Sequence, residues 1–138
     1  MTNSIIIPDH VDAIVKELSQ DLSTHEIWLI GSRATGNYNV SSDWDLLLFS
    51  SEEPVPKERR CEGVDALHCG PSGVILLEGQ SAWMEISIKN FRWTKIDETT
   101  AKYQGQRFLD VPAGVVRNSD EPNITFTDSK GISLWSRQ

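Results

Sequence analysis

The sequence is poor in cysteine, in basic residues and in long apolar runs, and each shortage closes a class of function. Its two cysteines, Cys61 and Cys69, form neither a C-x-x-C pair nor a regular even array. They offer no zinc spacing and no disulfide framework, and they fit a reducing compartment as structural thiols. Thirteen Lys and Arg stand against twenty Asp and Glu, a formal net charge of -7. No extended nucleic-acid surface is expected, because phosphate backbones are held by clustered cations. The longest basic cluster, K-E-R-R at 57–60, reads as a solvated loop with the charge to touch a phosphorylated ligand. No apolar run approaches the roughly eighteen residues of a membrane span. The opening M-T-N-S-I-I-I-P-D-H lacks a basic n-region and a signal-length apolar core, so the expected compartment is the cytoplasm. The N-V-S and N-I-T triplets at 39 and 123 then carry no glycan. There is no internal repeat and hence no solenoid.

What is present suits one ordinary domain. The chain has 138 residues, 38% hydrophobic and 24% charged, enough to bury a core and too few for two comfortable domains. Val11, Ile14, Val15, Leu18 and Leu22 keep three-four spacing, which predicts an amphipathic helix from about Asp9 to Leu22. E-I-W-L-I-G-S reads as a short buried strand ending at Gly31, and S-R-A-T-G as the strand-to-helix turn after it, where backbone amides can receive an anion. D-W-D-L-L-L-F is a second strand, buried on both faces and adjacent to the first. Ser50–Glu62, with Pro54 and Pro56, is a connection. G-V-D-A-L-H-C is a third strand, and G-P-S-G turns it into V-I-L-L-E-G as a hairpin. A-W-M-E-I-S-I-K-N-F-R-W is strand-like. K-I-D-E-T-T-A-K-Y-Q-G-Q-R-F-L-D predicts a modest helix capped near Asp97, and the segment from about 118 an irregular tail.

The stretch G-S-R-A-T-G-N-Y-N-V-S-S-D-W-D-L-L-L-F, residues 31–49, poses the main physical problem. Asp43 and Asp45 sit at the mouth of a buried strand, where an isolated carboxylate loses hydration, so something must compensate the charge. A phosphate-binding P-loop is excluded: Gly31 and Gly36 have its spacing, but Asn37 and Tyr38 stand where Lys and Ser or Thr are needed. Strand alternation turns Asp43 and Asp45 to one side, about 6.5–7 Å apart at Cα, and Trp44 to the other, into the core. Two such carboxylates can converge on divalent cations, and hard, oxygen-preferring Mg2+ or Mn2+ suits them better than zinc. On this evidence alone an Asp-x-Asp at a strand edge is more often an ordinary turn or strand-edge pair than a catalytic one.

Joined to the strand-ending Gly-Ser, the Asp-x-Asp resembles the signature of the polymerase-beta-like nucleotidyltransferase superfamily, whose small stand-alone members are the minimal nucleotidyltransferases. The likeness is strong over residues 26–49. It implies an α/β domain, a small mixed and mainly antiparallel sheet with helices on one side. It further implies that Gly31 and Ser32 hold the phosphates of a nucleoside triphosphate, and that Asp43 and Asp45 bind metal with a third carboxylate from a following strand. Asp65 is preferred for that third place and Glu85 is its rival. Relatives usually carry a longer helical connection before that strand, whereas Ser50–Gly63 contains two prolines. The implied reaction transfers a nucleoside monophosphate to an acceptor hydroxyl, with Asp65 assisting its deprotonation.

Arg33, His68 and the tryptophans each admit two readings on sequence grounds. Arg33 can fork onto a phosphate or be merely solvated. His68 shows no spaced carboxylate partner and reads as a packed or surface histidine. The five tryptophans are core before they are stacking platforms. The acceptor is not visible, and this chain has no room for an added acceptor domain, so a protein partner or a second copy is the expected source. The alternative class is an antitoxin-like or regulatory module that keeps the fold and acts by binding a protein.

Overall fold

The computed structural model describes residues 6–36, 38–79, 86–108 and 124–137. Helix α1 (Asp9–Ser19) is followed by β1 (Thr24–Ile30), a single helical turn α2 (Ser32–Thr35), β2 (Trp44–Ser50), β3 (Val64–Cys69) and β4 (Val74–Leu77). Then come β5 (Ile86–Ser87), the short helix α3 (Ile88–Phe91), β6 (Thr94–Lys95), β7 (Thr100–Phe108) and β8 (Ile124–Ser136). The eight strands form one sheet in the order β5-β4-β3-β2-β1-β8-β7-β6. Among the described residues only the β2–β3 pairing is parallel; the others are antiparallel. No described helix is long and apolar enough to cross a membrane.

The continuous apolar runs of β1 and β2 are explained by burial on both sides. Ile27, Leu29, Leu46 and Leu48 face a cluster with Val11, Ile14, Val15 and Leu18 of α1. Trp28, Ile30 and Leu47 face a second cluster with Ile75, Phe91, Ala101 and Tyr103. The helices are divided between the faces: α1 and Ala34 of α2 belong to the first cluster, whereas Phe91 of α3 belongs to the second.

Several expectations are corrected. Helix α1 stops at Ser19, because Asp21 Oδ1 accepts from both the Ser23 N–H (2.9 Å) and its hydroxyl (2.7 Å), a turn that competes with the helix. Leu22 is left 82% exposed. I-K-N-F is helical rather than a strand. The helix expected after Asp97 is strand β7 instead. Asp97 Oδ1 accepts from the Thr99 and Thr100 N–H groups (both 2.9 Å), and this chemistry caps a tight turn as readily as a helix. Beyond it Ala101 and Tyr103 are buried while Lys102 faces out, the period of two that defines a strand. The tail from about 118 is corrected at residues 124–136, which form the thirteen-residue β8 between β1 and β7; residues 118–123 lie outside the described residues. β1 would otherwise present an open edge on that side, and β8 closes it.

Candidate active site

Strand β1 delivers the chain to Gly31, whose backbone (φ 74, ψ -160) lies where a side chain is not accommodated. A Cβ there would overlap Asp45 Oδ2, so glycine is what lets this turn lie against the carboxylate. The Gly31 N–H donates to the Tyr103 hydroxyl at 2.8 Å. The Ala34 and Thr35 N–H groups donate to the Gly31 carbonyl. Ser32 and Arg33 thus hold the first-turn donors that α2 itself cannot satisfy.

Strands β2 and β3 place Asp45 directly opposite Asp65 in parallel register, with Asp43 one residue before β2. Asp65 makes side-chain contacts with both Asp43 and Asp45. Burial first, then the charges of Asp65 and Asp43, push the Asp45 pKa up to about 7. Burial likewise raises Asp65, opposed by the positive charge of Arg59. The compensation demanded by the sequence therefore has two parts. One is the proton that Asp45, with its pKa raised chiefly by burial, keeps well above the ordinary carboxylate range. The other is the Arg59 guanidinium, whose Nη2 lies 3.1 Å from Asp65 Oδ1 and 3.7 Å from Asp43 Oδ2.

Arg59 reaches this position because its neighbour is anchored on the other face of the sheet. Arg60 Nη2 lies 3.1 Å from Oε2 of the buried Glu78, and its Nη1 2.8 Å from Glu17 Oε1. His68 Nε2 is 2.6 Å from the same Glu78 oxygen. Burial alone would raise the Glu78 pKa, but the His68 hydrogen bond and the Arg60 charge together hold it below the ordinary value. The connection is also fastened to the β3–β4 hairpin, by Gly79 N–H to the Lys57 carbonyl (2.7 Å) and Ser72 N–H to Glu53 Oε1 (3.1 Å). A parallel crossover usually uses a helix; here these contacts hold an irregular one in place.

The structure brings Gly31, Asp43, Asp45 and Asp65 together, with Ser32 following Gly31 on α2. It does not bring Arg33 to them. The Arg33 Nη2 donates to the Ser42 carbonyl at 3.0 Å, and the guanidinium lies 4.4 Å from the Tyr38 ring and 4.5 Å from that of Trp44. Its fork is spent on holding the loop before β2. Trp44 packs against the first cluster, away from the aspartates, though only partly buried. Glu85 lies outside the described residues. His68, read as unpartnered, has Glu78 ten residues on, delivered by the hairpin. Arg59 was legible only as part of a basic cluster. Tyr103, 72 residues from Gly31, carries no local signal at all.

Three carboxylates are a hard-oxygen donor set that suits Mg2+ or Mn2+ in kind. As they stand, with Arg59 among them, no group of three or more His, Cys, Asp or Glu among the described residues is arranged to hold a metal ion.

In a comparison with known families the chain matches the nucleotidyltransferase domain over residues 11–80. The chain belongs to this family, and its likeness to the polymerase-beta-like minimal nucleotidyltransferases is borne out. Nucleotidyl transfer is the reaction class of the domain. The matched segment contains Gly31, the three aspartates, Arg59 and Glu78, and ends before β5. No curated protein and no solved structure matches the chain significantly.

Proposed function

We propose that this chain is a divalent-metal-dependent nucleotidyltransferase that moves a nucleoside monophosphate from a nucleoside triphosphate to an acceptor hydroxyl. The observation that carries the reading is the convergence of Asp43, Asp45 and Asp65 beside the Gly31 turn. In this reading Asp43, Asp45 and Asp65 hold Mg2+ or Mn2+, and the first turn of α2, with Ser32, receives the phosphates. A divalent cation held by the aspartates would supply neutralisation of phosphate charge. Asp65 accepts the proton of the attacking hydroxyl, and the Gly31 turn sets the triphosphate against the carboxylates. One domain spans residues 1–138, and the fold buries the back of the sheet beneath α1 so that its carboxylate end serves the substrate.

Arg59 fits this reading as a resident counter-charge that steadies the carboxylates when no cation is bound. Arg59→Met is expected to lower the melting temperature of the metal-free protein and to tighten Mn2+ binding several-fold, since no tethered cation then has to be displaced. Mn2+ titration followed by electron paramagnetic resonance reads this directly. Weaker Mn2+ binding in the variant would contradict the counter-charge role.

The test of the function is the thermal shift of the purified protein with Mg2+ or Mn2+ and each of the four nucleoside triphosphates, beside Asp43→Asn/Asp45→Asn. Ligand binding to the folded state raises the midpoint by mass action, without knowledge of the acceptor. A metal-dependent rise, lost in the double variant, is expected. No rise with any nucleotide would transfer the case to the partner-binding class.

A further inference from the structure

A groove of about 670 Å3 lies between Thr35 of α2 and the outer surface of β6, β7 and β8, lined by Arg92, Lys102, Gln104, Asp128 and Lys130 among others. It is not the carboxylate site. Lys102 alternates with Ala101 and Tyr103, which bury into the second cluster. Asp45, two residues before Leu47 of that same cluster, shares its face, so Lys102 and Asp45 are on opposite sides of the sheet.

Two features mark the groove, and one of them is a charge repulsion that a bound anion would relieve. Lys102 is directly opposite Lys130 across the β7–β8 pair, and like charges facing each other across strands destabilise a sheet. Arg92 occupies the left-handed end of α3 (φ 50, ψ 45), the position that glycine fills without strain. It is the one non-glycine residue with positive φ among the described residues. Among those residues none of the three cations is salt-bridged to a carboxylate. The nearby Asp128 Oδ1 accepts from Gln104 Nε2 at 3.2 Å. Three cations and one carboxylate, Asp128, line this groove of a chain of net charge -7, a local excess of positive charge that favours an anion. The volume is that of a small-molecule site, and a guanidinium beside two ammonium groups matches phosphate oxygens. Arg92, Lys102 and Lys130 all lie beyond the family-matched segment.

We propose that this groove is a second ligand site, which binds a small phosphate-bearing anion through Arg92, Lys102 and Lys130. Inorganic pyrophosphate and AMP, titrated by calorimetry in the presence of EDTA, separate a free polyphosphate from a nucleotide as the source of the phosphate. Chelation keeps the measurement independent of the metal reading of the carboxylates. The expected result is binding of at least one probe that is unchanged in Asp43→Asn/Asp45→Asn, falls with added salt, and weakens at least tenfold in Lys102→Gln/Lys130→Gln. Arg92→Gly is expected to weaken binding while leaving the melting temperature unchanged or raised, a combination that a purely structural arginine would not give. Absence of binding, binding indifferent to the lysine changes, binding lost with the aspartates, or binding of a single-stranded oligonucleotide but of neither small probe would each overturn the proposal.

Discussion

Asp45→Asn is expected to abolish the metal-dependent response to nucleotide and, at the same time, to stabilise the metal-free protein above neutral pH. The two effects share one cause. The Asp45 pKa stands at about 7, against an ordinary value of 3.8, so between those limits the folded protein holds a proton that the unfolded chain has released. Its contribution to stability is fully present below about pH 4 and is lost as the pH rises through 7. An asparagine carries no such penalty, so the difference in midpoint between variant and wild type should grow from near zero at pH 4 to a plateau above 7. Discounted for partial solvent screening, the plateau is on the order of 1–2 kcal/mol, roughly 5 °C in melting temperature for a chain of this size. Transfer activity, tested with a cognate acceptor, should fall by about 10³-fold, the scale of losing one preorganised electrostatic group. Melting curves at pH 4, 6 and 8 in EDTA check the first effect. A variant that melts many degrees below wild type at pH 8 would make Asp45 a structural residue.

Gly31→Ala should do the reverse to stability and the same to binding. The backbone at Gly31 lies in a region that is essentially restricted to glycine, which costs an alanine about 1–3 kcal/mol. The new methyl also overlaps the Asp45 carboxylate, so the turn or the aspartate must move. A loss of about 3 kcal/mol in urea unfolding is expected, together with loss of Mn2+ binding in whatever fraction remains folded. Gly36→Ala provides the control. Gly36 also has positive φ (89), but a methyl there would meet nothing within 4 Å, so it should cost only the backbone strain and leave Mn2+ affinity intact. Equal effects of the two changes on Mn2+ binding would remove the special status of the Gly31–Asp45 contact.

The elements legible in the sequence are those written in consecutive residues. The apolar runs of β1 and β2, the G-P-S-G hairpin and the Gly-Ser turn each carry their own signal within a few positions, and local sterics and burial act at that range. The segments after residue 90 depart from their sequence expectation because their residues are ambiguous locally: Asp97 can cap a helix or a turn, and a Ser- and Thr-rich end can be a tail or a strand. What settled them was the unpaired edge of β1, which β8 fills, and the buried alternation of Ala101 and Tyr103 in β7.

The candidate site divides in the same way. Residues 31–45 were enough to single out a glycine turn and a carboxylate pair, and to require that their charge be met. They did not say by what. The answer came from a connection anchored by Arg60 to Glu78, which sets Arg59 against Asp65, and from the parallel register that sets Asp65 opposite Asp45. The facing lysines of β7 and β8 are likewise invisible until register is known. Each of these depends on residues far apart in the chain, where no periodicity links them and the contact is formed by packing of the whole sheet.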